Sequence, residues 1–111
     1  MEWTSQSSNV GAERTLEDSY QAARLTGLSI LSVLKEACQG DLDRVVQTVQ
    51  IHGLVNCIDG FTDSPKVING TSELLLDVFG DAGLAARAAV GTNSLPGNMT
   101  CEVVSSFEIR T

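Results

Sequence analysis

Val45-Val46-Gln47-Thr48-Val49-Gln50-Ile51-His52-Gly53-Leu54-Val55-Asn56-Cys57 is where the chain changes its hydrophobic period, and the reading of the fold turns on it. Val45, Val49, Ile51, Val55 and Cys57 share one parity, and Thr48, Gln50, His52 and Asn56 share the other. A period of two predicts a strand with one buried and one wetter face. Gly53 inside it predicts a bulge or a close backbone approach, because glycine otherwise weakens a strand.

On either side the period is helical. Upstream, Leu16, Tyr20, Ala23, Gly27, Leu31, Leu34 and Cys38 recur at three- and four-residue intervals. They predict one long amphipathic helix, capped by Thr15, with Glu17 and Asp18 at its positive end and a stop near Gln39-Gly40. Asp41-Leu42-Asp43-Arg44 is a polar break before the strand. Downstream, Asp59 to Pro65 reads as a loop that ends in a helix start, with Ser64 as cap and Pro65 at the first helical position. Ile68, Thr71, Leu75, Val78 and Phe79 form the apolar stripe of that second helix, and Gly80 stops it.

Two further strands are predicted, Ala85 to Gly91 and Cys101 to Ile109, joined by Thr92 to Thr100 with its Pro96-Gly97-Asn98 turn. The order helix, strand, helix, strand, strand predicts an α+β domain whose two helices cover one face of a mixed sheet. The other face is left bare, which favours burial against further copies of the chain.

The 111 residues make one domain, read as residues 12–111 behind a poorly ordered polar leader over residues 1–11. Seven basic against fourteen acidic residues give a net charge of −7, a field that repels phosphate backbones and argues against nucleic acid as a partner. No apolar run approaches the ~20 residues of a membrane span, and Met1-Glu2-Trp3-Thr4 lacks a signal pattern. Cys38, Cys57 and Cys101 lack ligand or Cys-x-x-Cys spacing and read as buried free thiols, so a cytoplasmic protein is expected.

A resemblance then runs through the chain in order. It is carried by Gly27-Leu28 to Leu34, Gly40-Asp41-Leu42-Asp43-Arg44-Val45, Val55-Asn56 and Pro65-Lys66-Val67-Ile68-Asn69-Gly70. It continues through Val78-Phe79-Gly80, Ala86-Arg87-Ala88-Ala89-Val90-Gly91, Leu95-Pro96 and Glu102-Val103. From about Gly11 to Ile109 the sequence resembles the Rid (YjgF-type, endoribonuclease L-PSP-like) family, in its chorismate-mutase-like branch. The resemblance implies a homotrimer with helices outward and clefts between subunits. It also implies hydrolysis of reactive enamines and imines to 2-keto acids and ammonia, with neither metal nor organic cofactor.

By position, Arg87 matches the arginine that grips the substrate carboxylate, Asn69 an asparagine near the cleft, and Glu102 the acid that orients or activates water. Ala89 stands where many members carry a cysteine two residues after the arginine, and completes the implied substrate-binding set. A guanidinium fork suits a carboxylate, and a partly buried acid can position water. The strand parities let Arg87 and Glu102 face one pocket; a cross-strand ion pair is the plainer alternative. Typical members begin with a strand hairpin, in whose place only Met1 to Val10 stands, with Trp3 and Thr4-Ser5-Gln6-Ser7 as a conceivable remnant. Loss of that hairpin would leave a non-catalytic trimer that binds a small carboxylate or another protein. Tyr20 reads as core or interface, and His52, alone on the wetter strand face, as structural.

Overall fold

The computed structural model describes residues 10, 11 and 14–111; the predicted leader, apart from Val10 and Gly11, lies outside the described residues, as do Trp3 and the Thr4–Ser7 stretch. Five main elements follow: α1 (Leu16–Ala37), β1 (Val45–Asn56), α2 (Ser64–Phe79), β2 (Ala86–Thr92) and β3 (Cys101–Ile109). Thr15 caps α1, its hydroxyl accepting from the Asp18 N–H at 3.1 Å, and the helix gives way at Gln39 and Gly40, both at positive φ. The cap of α2 falls one residue earlier than predicted, at Asp63, and Pro65 occupies its first turn.

The sheet has the order β2-β1-β3, with β1 parallel to β2 and antiparallel to β3. The last two strands are therefore not neighbours, which a cross-strand ion pair between Arg87 and Glu102 would have required. The β1-α2-β2 crossover places β2 on one edge, and the Thr92–Thr100 connection carries the chain past the end of β1 to the other edge. The parity of β1 also needs correction. Register shifts between Val45 and Gln47 and between Thr48 and Gln50 turn Thr48 inward to full burial and leave Val49 on the outside. A bulge offsets the alternation by one residue, which a strict period of two does not anticipate.

Both helices lie on the face that carries Ile51, Gly53 and Val55. Gly53 is there because α2 presses on it: a Cβ would come within 2.6 Å of Ile68. The predicted close approach is therefore real, and the bulges sit nearer the start of the strand. The helices touch each other through small residues. A Cβ on Gly70 would fall 2.1 Å from the Tyr20 carbonyl oxygen, and the buried Thr71 hydroxyl donates to the Ala23 carbonyl at 2.6 Å. Ile51, Val55, Val67, Ile68 and Leu75 fill the space between helices and sheet, each buried side chain stabilising the domain by roughly 1.5–3 kcal/mol.

Val10 is fully buried and adds a bridge beside Cys57. The three cysteines are free and buried. Tyr20 joins the helices by donating to the Glu73 carboxylate. The open face presents His52 together with exposed Val46, Val49, Val90 and Val104. Among the described residues no helix is long and apolar enough to cross a membrane.

Candidate functional site around Arg87

Residues Asn69, Ser72 and Leu76 recur at intervals of three and four along α2 and form one stripe facing the β2 edge of the sheet. Arg87 rises from β2 to meet it. Its Nη1 donates to Asn69 Oδ1 at 2.7 Å and to Ser72 Oγ at 3.1 Å. Among the described residues no carboxylate approaches the guanidinium, and its Nη2 and Nε carry no partner. A neutral amide and a hydroxyl thus orient one side of the fork, leaving its charge and its remaining donors available to an incoming anion.

Beside this fork is a hollow of about 130 Å³ with Ile51 at its base, Ser72 and Leu76 on one wall, and Leu84 and Ala85 on the other. Gly83 fixes the far wall. A Cβ there would be 2.3 Å from the Leu75 carbonyl oxygen, so only glycine lets residues 80–83 lie against α2. Larger hollows, about 380 Å³ each, lie elsewhere. The one between α1 and β3 is apolar and holds no charged group, and the one at the ends of β1 and β2 carries Asp59, which would repel an anion.

Of the four expected site residues the structure brings Asn69 and Arg87 into contact, while Ala89 packs against the core and does not line the hollow. Ala89 follows Arg87 two residues along β2 on the same face, paired with Gly53. Glu102 is elsewhere. Arg87 pairs with Ile51 and Glu102 with Leu54, three positions apart on β1, so their side chains leave opposite faces of the sheet as well as opposite edges. The expectation, read from strand parity, that the two side chains face one pocket is therefore corrected, and with it the alternative of a cross-strand ion pair. Ser72, Leu76 and Leu84 had not been singled out. The i, i+3, i+7 run from Asn69 carried a signal for the first two; Leu84 carried none.

No group of three or more potential metal ligands occurs among the described residues. The only histidine of the chain, His52, is exposed on the open face.

Comparison with known proteins agrees with this architecture. Protein TCP17 of Trypanosoma cruzi is 40% identical over 101 residues, which are 90% of this chain and 62% of that protein. Among solved structures, the Agrobacterium tumefaciens protein Atu1372, of unknown function, superposes with a TM-score of 0.91 at 36% identity, over 93% of this chain and 66% of that one. A Shewanella oneidensis protein described as a "putative endoribonuclease" superposes at 0.88 and 34% identity, over 93% and 68%. The chain thus spans about two thirds or less of the length of TCP17 and of the Agrobacterium protein. Residues 4–109 match the family model described as "YjgF/chorismate_mutase-like, putative endoribonuclease". With matched sequence over nearly its whole length and a mixed sheet covered by two helices on one face, the chain belongs to the YjgF/chorismate mutase-like family.

Proposed function

We propose that the protein binds a small carboxylate-bearing molecule, a 2-imino or 2-keto acid, at Arg87, and that assembled copies hydrolyse the imine. The observation that carries this reading is the Arg87 guanidinium, held by Asn69 and Ser72 at the mouth of a hollow with no carboxylate of its own to neutralise it. Hydrogen bonds to a charged group contribute about 1.5–3 kcal/mol each, enough for a bidentate contact to dominate the affinity of so small a ligand.

Hydrolysis requires water to add to the C=N carbon and the resulting carbinolamine to expel ammonia, leaving the keto acid. A carboxylate that takes the proton from water and returns it to nitrogen suits both steps. Glu102 can play that part only if a neighbouring copy presents its open sheet face to the Arg87 edge, because its own protomer holds the two groups apart. The exposed valines of that face favour such an assembly, as the family trimer does. A non-catalytic carboxylate binder is the second reading, favoured by the same separation. RNA cleavage fits less well: the net charge is −7, and one histidine cannot form an acid–base pair with a second.

The test is to generate 2-iminopropanoate in the presence of the protein and follow its decay. Acceleration that disappears in Arg87→Ala and in Glu102→Gln supports the hydrolase. Saturable keto-acid binding without acceleration supports the binder, and absence of both overturns the proposal.

A further inference from the structure

The hollow beside Arg87 has a chemistry of its own, and its size is fixed by backbone packing. Apart from Ser72 and Arg87 its walls are hydrocarbon: Ile51, Leu76, Leu84 and Ala85. Leu84 is 67% exposed and Leu76 38%, so two large apolar side chains stand uncovered beside the hollow. From these observations we infer that Leu76 and Leu84 form a subsite for an aliphatic side chain on the carboxylate ligand, with Leu84 setting the length it accepts. The inference rests on the carboxylate reading of Arg87 and adds the part of the ligand that distinguishes one acid from another.

Three features support it. A volume of about 130 Å³ is slightly smaller than the ~150 Å³ apolar cavity that accommodates benzene. Scaled from that cavity, which takes six carbons, it takes roughly five, which covers propyl and isobutyl but not benzyl. The lining groups also include no second cation, so a terminal carboxylate on the side chain would enter a largely hydrocarbon hollow without a counter-charge of its own. Finally, the far wall cannot retreat easily. Gly83 lies against the Leu75 carbonyl, the Gly80 N–H donates to the Leu76 carbonyl, and the Leu84 N–H donates to the Asp81 carbonyl at 3.1 Å. A wall held this way acts as a ruler and not as an adaptable surface.

A titration series of 2-oxo acids against the whole chain, read by calorimetry, tests this: pyruvate, 2-oxobutanoate, 2-oxopentanoate, 4-methyl-2-oxopentanoate, 2-oxooctanoate, phenylpyruvate and 2-oxoglutarate. Affinity should rise roughly fourfold per methylene as apolar surface is covered, up to side chains of about five carbons, and then fall. 2-Oxoglutarate should bind more weakly than 2-oxopentanoate. Leu84→Ala should move the optimum to longer chains and Ala85→Val to shorter ones, with thermal melts confirming that each variant is folded. Equal affinity along the series with dependence on Arg87 retained would overturn the subsite and leave the carboxylate reading standing. No binding by any member would overturn both.

Discussion

The two faces of the sheet are built from the same three strands, yet one is sealed by helices and the other is bare. On the covered face Ile51, Gly53 and Val55 meet α2 and the core, and Arg87 at the β2 edge is oriented by that helix. On the open face His52, Val104 and Glu102 are exposed, and among the described residues no helix covers them. The contrast teaches that a single copy can position a charge for binding but cannot position the acid that hydrolysis would need. A substitution on the covered face should therefore change folding or ligand affinity, and one on the open face should change assembly.

The largest effect is expected where the contrast is sharpest. Ile51→Ala should cost about 2–5 kcal/mol of stability in urea unfolding, whereas Val104→Asp should leave the unfolding of the protomer nearly unchanged and lower the molar mass seen by light scattering. A stable Ile51→Ala variant would break the comparison. Next, Arg87→Ala should weaken 2-oxobutanoate about 30- to 100-fold, the equivalent of losing ~2–3 kcal/mol of charge-assisted hydrogen bonding, while its melting temperature stays close to that of the parent.

Should the hydrolase be active, hybrids sharpen the comparison further. Inactive Arg87→Ala and Glu102→Gln chains, mixed one to one and reassembled, should regain about a quarter of the parent activity if each site draws its arginine and acid from different copies. No recovery would place both groups in one copy, against the strand register.

The smallest effect concerns pH. Burial raises the Cys101 thiol above its ordinary value of 9.0, with the Thr26 hydroxyl opposing the rise. The folded state then holds a proton that the unfolded chain releases, so this contribution to stability is complete below about pH 9 and is lost as pH climbs through the folded-state value. Cys101→Ala should flatten the alkaline decline in stability, and an unchanged slope would assign the decline to other groups.

Much of this was legible in the sequence, for local reasons. Thr15, Gly40, Pro65 and Gly80 mark helix ends because capping and positive φ are properties of a few neighbouring residues. Gly53 announced a close contact for the same reason. The inward turn of Thr48 and the exposure of Val49 were not legible, since a bulge is decided by the partner strand. Strand order was equally hidden: Thr92 to Thr100 looks like a hairpin connection, and only the α2 crossover commits β2 to the edge away from β3. That order is what separates Arg87 from Glu102. The contact of Arg87 with Ser72 could have been read from helical spacing, but the role of Leu84 depends on how Gly83 folds back onto α2.

Calorimetric titration of 2-oxobutanoate into the parent chain and into Arg87→Ala tests the central claim most directly. The account predicts saturable binding by the parent that is lost or weakened at least tenfold in the variant. Equal binding by the two proteins, with both folded, would contradict it.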